Sequence, residues 1–458
     1  MAMIDNHTIT ENNYHLIIVL LLAGFLSGCK SGTTGNGVDQ NKDQPNFIVF
    51  FIDDLGYYDV GFRNEKFYTP NIDKLAGESL EFSYAYVPSP TCSPSRVGLY
   101  TGVHPAKLEF FRHLPGNPKG EYHQWEGDPA HLPSRNYLPL EAVTYAEVLK
   151  ELNYNTFFAG KWHLGHGEYN PESQGFDKYV SGGNGTGSTK KYVQVTADGK
   201  KKEVYVTDLL TDSIVNYIQS YKSEQPFLLQ LSYWNVHTPN VGREDLVEFY
   251  KERGLSGKEA EYAAQVTSID ESVGRVLDAL DQKDFEENTI IIFTSDQGSY
   301  FPNLPLRGTK EVGTALYEGS TRVPFLIKWP GVTKPGSKKD EPISTLDVFP
   351  TLIDIAGEDP GKYNNLDGYS LTRLIKGDQS PERGHLVFYR AYDAQYAAVL
   401  SKDGWKLVAY RGKKYELYNI HNDIGEENDL AENNPEKMDE LVKVLRAWEE
   451  SAGLLIKE

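Results

Sequence analysis

One cysteine in this chain lies in a stretch suited to holding an anion. In Ser89-Pro90-Thr91-Cys92-Ser93-Pro94-Ser95-Arg96-Val97-Gly98-Leu99-Tyr100-Thr101-Gly102, Pro90 and Pro94 restrict the backbone on both sides of Cys92. Ser95 to Tyr100 is predicted to be a helix whose amide-rich start faces that side chain. Elsewhere, two apolar runs end in oxygen donors: Phe47 to Ile52 in Asp53-Asp54, and Asn288 to Ser295 in Asp296-Gln297. Brought together, Asp53, Asp54, Asp296 and Gln297 suit a hard divalent cation, with calcium favoured. No Cys/His cluster of zinc spacing competes with that reading. A third apolar run delivers Lys161 and His163, and a fourth delivers His237, which adds positive charge and proton-transfer groups.

The elements that must position these residues read as an α/β fold. The run that Asn46 starts, Phe47 to Ile52, is apolar on both faces, as a central strand of a covered, largely parallel sheet requires. Tyr154 to Ala159, Pro226 to Trp234, Asn288 to Ser295 and Val323 to Trp329 are predicted to be further strands. In open α/β sheets, ligands sit at the carboxyl ends of strands, where the acidic pairs lie. If the strand after Tyr154 continues past Gly160, Lys161 and His163 share one face. Helices are predicted from a capped start at Thr69 and over Leu140 to Leu152, Val204 to Tyr221, 258 to 281 and Ser344 to Ala356. From about Arg383 the pattern changes to four short alternating segments and a helix from Pro435 to Ser451, a small antiparallel sheet with a helix. The long connection Val103 to Pro139, with Arg112, His113, His123, Trp125 and His131, is the candidate for substrate-specific contacts, Arg112 and His113 first. Lys190-Lys191 and Lys200 to Lys202 read as a solvated, hairpin-like surface.

Several of these stretches resemble the type I sulfatases, of the alkaline phosphatase superfamily. The resemblance is carried by Cys92-Ser93-Pro94-Ser95-Arg96 with Thr101-Gly102, by Gly160-Lys161-Trp162-His163-Leu164-Gly165, by Asn235-Val236-His237-Thr238-Pro239, and by Arg307-Gly308-Thr309-Lys310 followed by Tyr317-Glu318-Gly319 and Arg322-Val323-Pro324. These motifs occur in the family's order over residues 45 to 450. Two features depart from the pattern: Gln297 stands where Asn or His is usual, and Lys310 and Tyr317 are about three residues further apart. The resemblance implies an alkaline phosphatase-like fold and a Cys92 oxidised by a sulfatase-maturing enzyme to formylglycine, which also ligates the cation. It further implies hydrolysis of sulfate esters, with Arg96, Lys161 and Lys310 around the sulfate oxygens. His237 would be the acid for the leaving alcohol and His163 the base, or the two exchanged. A phosphate or phosphonate ester hydrolase and a glycan-binding protein with an unmodified Cys92 are the competing readings.

A formal charge of -19 with no basic stripe excludes nucleic acid as a partner, so an anionic substrate must meet local positive charge. Residues 16 to 28 are an apolar run too short to span a bilayer comfortably, ending in Leu26-Ser27-Gly28-Cys29. This resembles a bacterial lipoprotein signal, although residues 1 to 15 carry no Lys or Arg. The expected organisation is a signal over 1–28, lipidation at Cys29, a tether over 29–44, a catalytic domain over 45–382 and a C-terminal subdomain over 383–458. For an exported lipoprotein the expected substrate is a sulfated saccharide. Lys30-Ser31-Gly32-Thr33 lacks an acidic run, which favours a periplasm-facing protein. With both cysteines assigned, no disulfide is expected.

Overall fold

A computed structural model describes residues 44–183, 192–195, 201–378 and 383–454. The proposed signal, Cys29, nearly all of the tether and Lys190, Lys191 and Lys200 lie outside the described residues. The main sheet has eight strands: β1 (Asn46–Ile52), β2 (Leu80–Phe82), β3 (Asn155–Gly160), β4 (Lys178–Ser181), β5 (Phe227–Ser232), β6 (Thr289–Ser295), β7 (Phe325–Lys328) and β8 (Ser337–Lys339). Their spatial order is β8-β2-β7-β6-β1-β5-β3-β4. The five strands β6-β1-β5-β3-β4 run parallel, whereas β7 is antiparallel to both its neighbours.

Alternate residues of the strands feed two cores, which is why β1 is apolar from Phe47 to Ile52. Ile48, Phe50 and Ile52 pack with α1 (Pro70–Glu78) and, further along the chain, with α4 (Val206–Ser220), α5 (Glu244–Glu252) and α6 (Gly257–Asp281). Phe47, Val49 and Phe51 pack on the other face with α2 (Cys92–Thr101), α3 (Tyr145–Glu151) and α7 (Val348–Ile355). The C-terminal part forms the expected antiparallel sheet in the order β9 (Leu386–Tyr389), β10 (Gln395–Leu400), β11 (Trp405–Tyr410) and β12 (Lys414–Asn419), with α8 (Pro435–Ser451).

Three local expectations are corrected. The helix at the cysteine does not begin at Ser95: α2 starts at Cys92, with extended Thr91 as its N-cap, and all ten of its residues are buried. Helix α3 does not begin near Leu140. Thr144 and Glu147 form a capping box that sets Tyr145 as the first helical residue. The strand carrying Lys161 ends at Gly160, and His163 takes a left-handed φ of 59°. A turn, rather than strand alternation, therefore orients Lys161 and His163. Gly160 makes that turn possible, because at its φ of 114° a Cβ would lie 1.8 Å from the Ser232 carbonyl oxygen.

Candidate active site

The parallel strand ends are laced together beyond the sheet. The Asp53 N–H donates to the Asn235 carbonyl at 3.1 Å and the Val236 N–H to the Asp53 carbonyl at 2.7 Å. The Asp296 N–H donates to the Ile52 carbonyl at 3.0 Å, the Lys161 N–H to the Ser232 carbonyl at 2.7 Å, and the Asp54 N–H to Asp296 Oδ1 at 3.0 Å. These bonds bring residues from β1, β3, β5 and β6 to one point. There α2 presents Cys92 from its first turn.

Three buried carboxylates face three buried cations. Lys161 Nζ lies 2.6 Å from Asp53 Oδ2, Lys310 Nζ lies 2.6 Å from both Asp54 oxygens, and an Arg96 terminal nitrogen lies 3.0 Å from Asp296 Oδ2 and 3.5 Å from Asp53 Oδ1. Arg96 also donates to the Lys161 carbonyl at 2.8 Å and is fully buried. Its guanidinium thus lies beneath the cavity wall and holds the carboxylates.

Burial pushes the Asp53 carboxyl up, but Lys161, His237 and Arg96 outweigh it and hold the group well below the usual carboxylate range. Asp296 is pushed well above that range by burial and by the charge of Asp53. Burial also pushes the Cys92 thiol up, yet Lys161 and Lys310 hold it well below an ordinary thiol. The site therefore favours negative charge at the end of side chain 92.

The two histidines differ in state. His163 Nε2 lies 3.0 Å from the Leu114 carbonyl, which can only accept, so Nε2 carries the proton and Nδ1 the lone pair. Burial, with Lys161 and Arg96, holds His163 well below its ordinary value, so it is neutral. His237 Nδ1 contacts the Thr238 carbonyl, which leaves Nε2 directed towards Asp54 Oδ2 at 3.8 Å. Burial lowers His237, but Asp54 outweighs it and raises the group, favouring the imidazolium.

Asp53, Asp54, Asp296 and Gln297 are gathered as expected, and this donor set fits a hard dication. Asp53 Oδ1 is buried without a hydrogen-bond partner, and the crowded carboxylates leave Asp296 favouring a proton where a cation would serve instead. Gln297 Nε2 donates to Asp54 Oδ1 at 2.8 Å and to Cys92 Sγ at 3.2 Å. Exchange of its amide oxygen and nitrogen turns the acceptor into the cluster.

A cavity of 800 Å³ opens above Cys92, with Lys161, His163, His237, Gln297 and Lys310 on its wall. Arg112 and His113 line it too, as does Trp125 from the same connection. The sequence reading missed Tyr300, Arg390 and Tyr392, which also line the wall. Arg390 and Tyr392 come from the turn after β9, and their only sequence signal is a charged and aromatic cluster, Arg390-Ala391-Tyr392-Asp393, at a strand end. Tyr392 is hydrogen-bonded to Thr91 Oγ1 at 3.0 Å, which joins the C-terminal sheet to the residue before Cys92.

The profile of the family described as Sulfatase matches residues 45–358. The chain belongs to the sulfatase family. It is a sulfuric ester hydrolase, with a sheet architecture of the alkaline phosphatase type. A second profile, the C-terminal part of N-sulphoglucosamine sulphohydrolase, matches residues 314–450 of this sulfatase. Human arylsulfatase A is 30% identical, with 80% of this chain and 74% of the relative aligned. An N-acetylgalactosamine-6-O-sulfatase of Bacteroides thetaiotaomicron is 27% identical over 95% of this chain and 99% of its own. Among solved structures, Ps i-CgsB in complex with k-i-k-neocarrahexaose superimposes with a TM-score of 0.76 at 29% identity, covering 88% of this chain and 92% of that one.

Proposed function

We propose that this sulfatase removes sulfate from carbohydrates, with Cys92 converted to formylglycine and calcium held by Asp53, Asp54, Asp296 and Gln297. The observation that carries the reading is the convergence on side chain 92: it lies on the floor of the cavity, between two ammonium groups and above three carboxylates. The names of the relatives, and the aromatic Trp125 and Tyr300 on the cavity wall, support a sugar as the group that carries the sulfate.

Formylglycine supplies a hydrated aldehyde whose two hydroxyls provide a nucleophile for sulfur and a later route for expelling sulfate. Calcium supplies positive charge that lowers the cost of ionising a hydroxyl beside it, and side chain 92 would complete its ligand set. Everything else falls to the chain's own residues. Lys161 and Lys310 touch carboxylates and line the cavity at once, so each ammonium can trade a carboxylate oxygen for a sulfate oxygen without moving its backbone. His237, on the cavity wall, gives the Nε2 proton to the departing alcohol as its bond to sulfur breaks. His163, neutral with its lone pair on Nδ1, takes the proton of the second hydroxyl as sulfate leaves. Arg96 holds Asp53 and Asp296 apart and in register.

The test is anion release, sulfate against phosphate, from matched sulfated and phosphorylated saccharides, using protein from a host with a sulfatase-maturing enzyme and residue 92 confirmed as aldehyde by mass. Sulfate release that is lost in Cys92→Ala, with folding retained, is expected. Phosphate release alone would transfer the site to the phosphoester reading, and an active alanine variant would overturn the mechanism. The N-terminal segment supports export and lipid anchoring through Cys29 on the periplasmic side. Cys29→Ala should move the protein from the membrane to the soluble fraction, and an unchanged distribution would refute the anchor.

A further inference from the structure

Beside the sulfate-binding floor, the cavity carries a second cationic feature that hydrolysis of one ester does not use. Arg112 is stacked between two aromatic rings, its guanidinium carbon 4.7 Å from the centre of Trp125 and 4.4 Å from that of Tyr392. Arg390 covers Tyr392 in turn at 4.8 Å, so the wall is a ladder of ring, guanidinium, ring and guanidinium. The two arginines are occupied differently. Arg390 gives both terminal nitrogens to the Lys310 carbonyl at 3.1 Å each. Arg112 has one ion pair, to Asp128 at 3.5 Å, and its buried Nε has no partner among the described residues.

A guanidinium has five N–H donors in a planar fork, and the two ring contacts hold the group in place between Trp125 and Tyr392. Asp128 faces one terminal nitrogen, which leaves the fork under-used at a cavity wall. The neighbouring His113 contributes no competing charge, because burial pushes it down to about 3. Glu311 is the one carboxylate-bearing residue on this wall among the described residues. Facing a substrate, the segment 103–139 therefore presents a single stacked cation.

We propose that Arg112, clamped by Trp125 and Tyr392, is a subsite for a second anionic group, sulfate or carboxylate, on the saccharide whose ester is cleaved. The inference rests on the sulfatase reading above and narrows it: the preferred substrates carry at least two negative charges. A charge-assisted, forked contact of this kind corresponds to roughly tenfold or more in affinity.

The test uses the full chain with Cys92→Ala, so that binding is read without turnover, and calorimetry with three probes. These are N-acetylgalactosamine 6-sulfate, its 4,6-disulfate, and a disaccharide in which a uronate carboxylate is linked to the monosulfated sugar. Tighter binding of the disulfate, the uronate probe or both, by about tenfold, is expected. That preference should shrink to below about threefold when Arg112→Gln is added and return in part with Arg112→Lys. The better-bound probe identifies the second anion as sulfate or carboxylate. Equal binding of all three probes, no binding of any, or a preference that survives Arg112→Gln overturns the inference. Sulfate release from 4-nitrophenyl sulfate by the mature enzyme tests the hydrolase reading by itself, since that ester has no second charge. Melting temperatures of the variants exclude a folding defect as the cause of lost preference.

Discussion

The Arg390 guanidinium grips the Lys310 carbonyl through two hydrogen bonds of 3.1 Å, so a residue of the C-terminal sheet sets the position of an ammonium group in the active site. The grip is part of a wider dock. Asp393 Oδ2 accepts the Gly313 N–H at 2.7 Å, and Gln395 Oε1 accepts the Leu316 N–H at 2.7 Å. Both of these contacts are made by the segment between Lys310 and Tyr317. Arg390→Gln should lower kcat by up to about 100-fold, the scale of loss when a positioned group shifts by about 1 Å. In a Lys310→Ala background the same change should add little, because the group it positions is gone. A double-mutant cycle on kcat checks this, and additive losses would show that Arg390 acts independently of Lys310.

Cation loading should be visible in stability and in protons. Asp296 is pushed well above the usual carboxylate range by burial and Asp53, so a cation bound at the proposed calcium site would displace a proton from it. Calcium affinity should therefore rise with pH, and titration in weak buffer should acidify the solution. Chelation should lower the melting temperature by a few degrees and calcium should restore it, since a ligand at 100 times its Kd stabilises by about 2.7 kcal/mol. Asp296→Ala should abolish both responses. A melting temperature indifferent to chelator and calcium would contradict the assignment.

Gln297 offers a narrower test. Its amide nitrogen faces Asp54 and Cys92, and ligation of the proposed cation would require the amide oxygen to turn inward. Gln297→Leu should weaken calcium binding at least about tenfold, read by calorimetry, and Gln297→Asn, with a shorter arm, should fall between the two.

Acid should loosen the join between the catalytic core and α8. His104 is buried, its ring 4.6 Å from Trp448, and its Nδ1 accepts the Ala106 N–H at 3.3 Å. Burial pushes it down to about 4, so the folded protein keeps it neutral while the unfolded chain takes up a proton near 6.5. Its contribution is complete above pH 6.5 and is lost as pH falls towards 4, about 3 kcal/mol at most. His104→Asn, which keeps an acceptor for the Ala106 N–H, should show a smaller drop in melting temperature between pH 7 and pH 4.5. Equal drops would refute the linkage.

Much of this protein is legible in its chain because local chemistry and sheet periodicity are short-range properties. Runs such as Phe47 to Ile52, apolar on both faces, define the parallel strands, and Asp53-Asp54 and Asp296-Gln297 mark the strand ends where a hard cation fits. The nucleophile element and its arginine are likewise contiguous. What needed the tertiary structure was every relationship between distant segments. Arg96 looks like a substrate contact in sequence, and only the packing of α2 against β1 and β6 places it beneath the carboxylates. The states of His163 and His237 depend on the Leu114 carbonyl and on Asp54, residues remote in the chain. Arg390 and Tyr392 carry no signature of their own; they reach the cavity because an antiparallel sheet docks its first turn against the Lys310 loop and Thr91. Residue type and spacing therefore determined where the strands end and which donors and cations they deliver, whereas long-range packing decided which charges line the cavity and which only hold the others in place.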